Sequence, residues 1–202
     1  MKLYFARHGE TESNRQKIIG RFGDPLTENG RFQARRMAAR VAKEPIDLIV
    51  ASPYERSKET AAIIAGAIGK EVRETPLLAE KKWPSAIEGK LLEDSEAKKF
   101  FDLQKEKNIA DPNWHHSDEE NFSDIKRRAR LFIDYVSGLK QENILAVSHE
   151  YFIKAVIAAM MHGDALTYEI FRNFFHFAVL DNASLTLCQK DQDAWKLTAL
   201  NY

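Results

Sequence analysis

Apolar residues fall along this chain in two alternating rhythms. Continuous apolar runs at "KLYFA" (2–6), "IDLIVAS" (46–52) and "NILAVS" (143–148) have the length of strands buried on both faces. Between them, apolar positions recur at helical spacing. Ala34, Met37, Ala38 and Val41 mark one face of a helix over 26–44, with Thr27 as its cap. Ala61, Ile64, Ala65 and Ile68 mark another. There the pattern predicts Ser52 as the cap, Pro53 at the first helical position, Glu55 closing a capping box, and Gly69 at the end. Phe122, Ile125, Ala129, Phe132, Ile133 and Val136 form the face of a third helix, and 150–163 reads as a fourth. A short strand is expected within "EVRET" (71–75). "HFAVLDNASLTLCQK" and "AWKLTALN" read as two closing β segments.

Strands alternating with helices imply an α/β fold: a three-layer α/β/α sandwich around a mostly parallel sheet. The length of 202 residues suits one domain spanning 1–202. The stretch 76–120 breaks the rhythm, with a charged helix expected near 93–107 and a polar loop, "ADPNWHHSDEE". It reads as a cap-like excursion over the site. In such sheets ligands sit at the carboxyl ends of strands. Three polar groups follow strand ends here: "ARHG", "SPYER" and "VSHE".

Composition narrows the classes. Thirty basic and thirty acidic residues give a formal net charge of zero, so no global field favours nucleic acid or an anionic membrane. No apolar stretch approaches the ~18–20 residues of a membrane span. One cysteine, Cys188, excludes a disulfide within the chain and fits a reducing cytoplasm; a packed thiol is expected. "HHSDEE" (115–120) is expected to be a solvated loop, not a metal site. The "NFS" and "NAS" triplets at 121 and 182 carry no weight in a cytoplasmic protein.

The three strand ends suggest phosphate chemistry. Arginine forks match phosphate oxygens, and imidazole attacks phosphorus when a partner fixes its tautomer. Phosphoryl transfer needs an in-line nucleophile, positive charge on the equatorial oxygens and an acid for the leaving oxygen. Arg7, His8, Arg56 and His149 could supply the first two, and Glu80 is a candidate acid. Gly9 could let the backbone approach an anion, and Thr11 and Asn14 could add hydrogen bonds. The chain has no G-x-x-x-x-G-K-[ST] loop and no G-x-G-x-x-G fingerprint.

"ARHGETESNRQKIIGRFGDPLTENGRFQA", "SPYERSKETA" and "VSHEYFIKAV" resemble, in order, the three blocks of the histidine phosphatase superfamily, in the branch related to phosphoglycerate mutase. The resemblance implies a phosphohistidine at His8, with Arg7, Arg56 and His149 holding the phosphoryl group. It implies Glu80 as the acid and then the base, with Glu88 as fallback. Asn14 is implied as a support of the phosphate pocket, and Gly20 and Arg21 as its mouth. It implies no metal and no cofactor. The expected partner is a small phosphorylated metabolite, and the expected state is a monomer or homodimer. Three departures stand out: Glu150 in place of the usual glycine after His149, the longer acid block "EKKWPSAIEG", and "EENFSD" before the next helix. The loop at 109–120 is acidic and lacks the basic run of a mutase. Phosphomonoester hydrolysis is therefore the leading expectation, followed by cofactor-dependent phosphoglycerate mutase, and then a non-catalytic phospho-ligand sensor.

Overall fold

The computed structural model describes residues 1–192 and 194–202. In chain order its elements are β1 (Lys2–Arg7), α1 (Glu12–Gln16), α2 (Glu28–Val41), β2 (Leu48–Ala51), α3 (Glu55–Ile68), β3 (Val72–Glu74), α4 (Ser95–Ala110), α5 (Phe122–Ser137), β4 (Asn143–Ser148), α6 (Glu150–His162), α7 (Tyr168–Phe177), β5 (Leu185–Asp191) and β6 (Ala194–Ala199). The six strands form one sheet in the order β3-β2-β4-β1-β5-β6. β4 pairs in parallel with both β1 and β2, and β3 runs parallel to β2. β5 and β6 close the other edge antiparallel.

Alternation along each central strand sends side chains to two cores. Leu3, Phe5, Leu48, Val50, Ile144 and Ala146 face α5 and α6, where Ile125, Phe132, Phe152 and Val156 meet them. Tyr4, Ala6, Ile49, Ala51, Leu145 and Val147 face α2 and α3, where Met37, Val41, Ala61 and Ile64 meet them. The sheet is therefore covered on both sides, which explains its unbroken apolar runs. The α/β sandwich is as expected. The 76–120 excursion carries its own small cluster of Ile87, Ala97 and Phe100, which also takes in Ile19. Backbone bonds lace it to the segment after α1: Ile19 N–H donates to Lys90 O (2.9 Å), Gly89 N–H to Ile19 O (2.9 Å) and Leu92 N–H to Lys17 O (2.8 Å).

Several local expectations are corrected. The N-cap of α3 is Tyr54, with no side-chain cap bond; the Ser52–Glu55 capping box does not form, because the Ser52 hydroxyl turns to His149. The "HFAV" end of the first closing β segment belongs partly to α7, which the apolar pattern did not separate. Its Phe171, Phe174 and Phe175 pack on the core beside Tyr151. The "HHSDEE" loop is not simply solvated: Glu119 is buried and its carboxylate accepts the N–H groups of His116 and Ser117. Cys188 is buried as expected, and burial pushes its thiol up to about 12.

Candidate active site

The parallel register sets the ends of β1, β4 and β2 side by side, with Arg7 opposite Ser148 and Ala51 opposite Val147. The chain then leaves the sheet at His8, His149 and Ser52, and backbone bonds continue the alignment: His8 N–H to Ser148 O and Ser52 N–H to Val147 O, both 3.0 Å. Two imidazoles are thus brought together, with ring centroids 5.1 Å apart.

His8 is buried and its protons can be assigned from its partners. Nδ1 lies 2.7 Å from the Gly9 carbonyl oxygen, which can only accept, so Nδ1 carries the hydrogen. Nε2 therefore holds a lone pair, and it accepts from Arg56 Nε–H at 3.1 Å. Burial, then Arg56 and Arg7, hold His8 well below its ordinary value, so the ring is neutral.

Arg56 is buried in the first turn of α3. It donates to the Arg21 carbonyl (2.7 Å) and lies over the Tyr54 ring (4.7 Å). That position runs against the helix dipole, and contact with His8 supplies the reason for it. Arg7 donates to the Leu180 carbonyl and pairs with Glu150 at 3.0 Å. His149 is fully buried, with Nε2 2.7 Å from Ser52 Oγ and 3.3 Å from Ser57 Oγ. Burial, then Arg56 and His8, hold it well below its ordinary value too. Arg7 Nε and His149 Nδ1 are buried without a hydrogen-bond partner among the described residues. Polar atoms so placed are costly unless something completes them.

Glu80 and Glu88 are separated by their surroundings. Burial raises Glu80, opposed by the Lys81 N–H bond to its carboxylate (2.9 Å) and by the fields of Arg56 and Arg7. Burial also raises Glu88, but its charged neighbours are Asp118, Lys82, Arg21 and Asp24. Glu80 feels the fields of Arg56 and Arg7, and Glu88 does not. Arg128 fixes the backbone leading to Glu80 by donating to the carbonyls of Leu77 (3.1 Å) and Ala79 (2.6 Å), and Ser148 Oγ donates to Leu78 O (2.7 Å).

The remaining residues frame this group. The Asn14 side-chain oxygen accepts from Thr11 N–H, Thr11 Oγ and Asn182 Nδ2, each at 3.1 Å, so it braces the loop after β1. Arg21 rests its guanidinium against Gly89, whose positive φ and missing side chain make the room; Gly20 lies beside Asp24. Gly9 has a different use from the one expected. A Cβ there would meet the Gly30 carbonyl oxygen at 2.4 Å, and a Cβ on Gly30 would meet Glu10 O at 2.1 Å. The pair lets the loop after β1 lie directly on the start of α2. Among the described residues, no group of three or more His, Cys, Asp or Glu is placed to hold a metal ion. No helix among them is long and apolar enough to cross a membrane.

The sequence model of the family described as "Histidine phosphatase superfamily (branch 1)" matches residues 3–202. The chain belongs to the histidine phosphatase superfamily. A "Probable phosphoglycerate mutase GpmB" from Serratia proteamaculans is 46% identical, but over 81 residues: 40% of this chain and 38% of that protein. An "Adenosylcobalamin/alpha-ribazole phosphatase" from Escherichia coli is 28% identical over 214 residues, 100% of this chain and 91% of that one. Among solved structures, a mutant phosphoserine phosphatase from Entamoeba histolytica in complex with phosphoserine is 29% identical. It superposes with a TM-score of 0.78 over 99% of this chain and 96% of that one.

In this histidine phosphatase several supporting residues carry no local signal. Ser52, just past β2, and Ser57, in α3, reach His149, and Thr60, also in α3, accepts the Gly9 N–H. Asn182 sits in the "NAS" triplet set aside above, and its Nδ2 donates to His8 O at 3.1 Å. Lys81 is buried with its ammonium 2.9 Å from Gln104 Oε1 and 4.0 Å from the Trp83 ring centre; burial pulls it down to about 7. It ties α4 to the Glu80 segment. The glycine pair is testable directly. Gly30→Ala is expected to lower unfolding stability by about 3 kcal/mol, because backbone on both sides must move. Chemical denaturation measures this, and a loss below about 0.5 kcal/mol would contradict the close approach.

Proposed function

We propose that this chain is a metal-independent phosphomonoesterase that hydrolyses small phosphorylated metabolites in the cytoplasm through a phosphohistidine at His8. The observation that carries the reading is the fixed His8 tautomer. Its Nδ1–H is tied to Gly9 O, and its Nε2 lone pair faces the Arg56 guanidinium.

The steps follow from the groups present. A phosphate monoester enters with its oxygens toward Arg7, Arg56 and His149, and Arg56 Nε–H turns from His8 Nε2 to a phosphoryl oxygen. The Arg7 Nε–H has no competing partner among the described residues, and His149 Nδ1 is a second candidate donor. His8 Nε2 then forms the P–N bond as the P–O bond to the leaving alcohol breaks, and the Glu80 carboxyl gives that oxygen its proton. Glu80, now a carboxylate, takes a proton from water as water attacks phosphorus and breaks the P–N bond. Phosphate leaves, and Glu80 is protonated again. Two guanidiniums and the hydrogen-bond donors supply the charge stabilisation that phosphoryl transfer requires.

The 46% identity of one 81-residue stretch to a phosphoglycerate mutase supports a second reading, in which the phosphoryl group returns to another substrate hydroxyl. One experiment separates the two. The protein is incubated with p-nitrophenyl phosphate and EDTA across pH, and in parallel with 3-phosphoglycerate. EDTA-resistant phosphate release is expected. Isomerisation without phosphate release supports the mutase, and activity lost with EDTA overturns the metal-independent reading. Tight phosphate binding without turnover or trapped phosphohistidine supports the sensor.

A further inference from the structure

Glu150 opens α6 immediately after His149. A carboxylate in the first turn of a helix is favourable without any partner. Glu150 nevertheless bridges two cations. Its Oε2 lies 3.0 Å from Arg7 Nη1, and its Oε1 lies 2.5 Å from Lys154 Nζ, one turn along α6. Lys154 is buried, also donates to the Phe175 carbonyl at 2.9 Å, and lies 4.1 Å from the Phe175 ring centre. The carboxylate is thus held from behind by α6 and α7, and it holds Arg7 in turn.

We propose that Glu150 is a positioning residue of this site, fixing the Arg7 guanidinium beside His8. The proposal rests on the phosphatase reading above and deepens it.

The proposal follows from the donors of Arg7. Its Nη1 is held between the Leu180 carbonyl and Glu150, while its Nε is buried with no partner among the described residues. Fixing one corner of a planar fork on a flexible stem fixes the direction of the other donors. The same Glu150 carboxylate joins burial in favouring the proton on Glu80, against the Lys81 N–H bond and the fields of Arg56 and Arg7.

Removing Glu150 alone leaves a buried ammonium uncompensated, so loss of folding would confuse the result. Two double variants avoid this, both carrying Lys154→Met to remove the buried cation. Glu150→Gln then keeps an oxygen for Arg7, and Glu150→Ala removes the bridge altogether. The measurement needs no turnover: calorimetric binding of inorganic phosphate. The Glu150→Ala double variant is expected to bind phosphate about tenfold more weakly, and the Glu150→Gln double variant to recover part of that loss. Unchanged or tighter phosphate binding by the Glu150→Ala double variant, or an equal loss in both, overturns the proposal. Failure of the phosphatase reading is seen separately, as wild-type protein without turnover or phosphohistidine.

Discussion

His8→Ala is expected to lower turnover of p-nitrophenyl phosphate by roughly four to six orders of magnitude and to leave no acid-trapped phosphoenzyme. The argument is one of geometry first. Nδ1 donates to Gly9 O, so the ring presents Nε2 as its lone pair. The neighbours are placed differently: His149 directs its Nε2 to Ser52 and Ser57, and Arg56 and Arg7 are cations. The pH behaviour follows with its sign. Burial and the two arginines depress His8, so the nucleophile stays neutral as pH falls through the ordinary imidazole value of about 6.5. Phosphoenzyme formation by the wild type should therefore persist at pH 6 and below, where a solvent-exposed imidazole would be largely protonated. The check is rapid acid quench with labelled substrate. Label retained in His8→Ala, or turnover within tenfold of wild type, rules out His8 as the nucleophile.

The arginine and histidine positions were readable because Arg7 and His8 stand at the end of β1, His149 directly after β4 and Arg56 in the first turn of the helix that follows β2, all strands whose buried character is written in consecutive residues. β1, β2 and β4 are covered on both faces, so their apolar runs are continuous, and β4 occupies the same 143–148 as its run. Parallel pairing then brings Arg7, His8, Ser52 and His149 together, which the α/β alternation already implied. What escaped depends on partners far away in the chain. Ser52 could have capped α3 or met an imidazole, and only the adjacency of the β2 and β4 ends decides it. Gly9 reads as room for an anion until Gly30 is found against it. α7 is rich in aromatics that favour strands; its helix is secured by Phe171, Phe174 and Phe175 packing on the core beside Tyr151. Helix packing of this kind overrides local propensity.

Glu80→Gln is expected to slow hydrolysis of alkyl phosphates by about 10²–10⁴-fold. The effect should depend on the leaving group and on the half-reaction. An alkoxide needs a proton as the P–O bond breaks, whereas p-nitrophenolate leaves readily without one. With p-nitrophenyl phosphate the variant should therefore still form the phosphohistidine. The second step then stalls, because attacking water has lost its base, so a burst of p-nitrophenol followed by accumulation of phosphoenzyme is expected. The pH dependence separates this role from a structural one. Burial raises the Glu80 carboxyl above its ordinary value, so it keeps its proton further up the pH scale than an exposed glutamate. Wild-type turnover of alkyl phosphates should fall as pH rises through that raised value, and the glutamine variant should lack this limb. Glu88→Gln provides the comparison, since its carboxyl faces Asp118, Lys82 and Arg21 instead of Arg56 and Arg7. It should stay within a few-fold of wild type and keep the limb. If Glu88→Gln removes the limb and Glu80→Gln does not, the acid is Glu88, and Arg56 and Arg7 hold a phosphate whose leaving oxygen is directed toward Arg21.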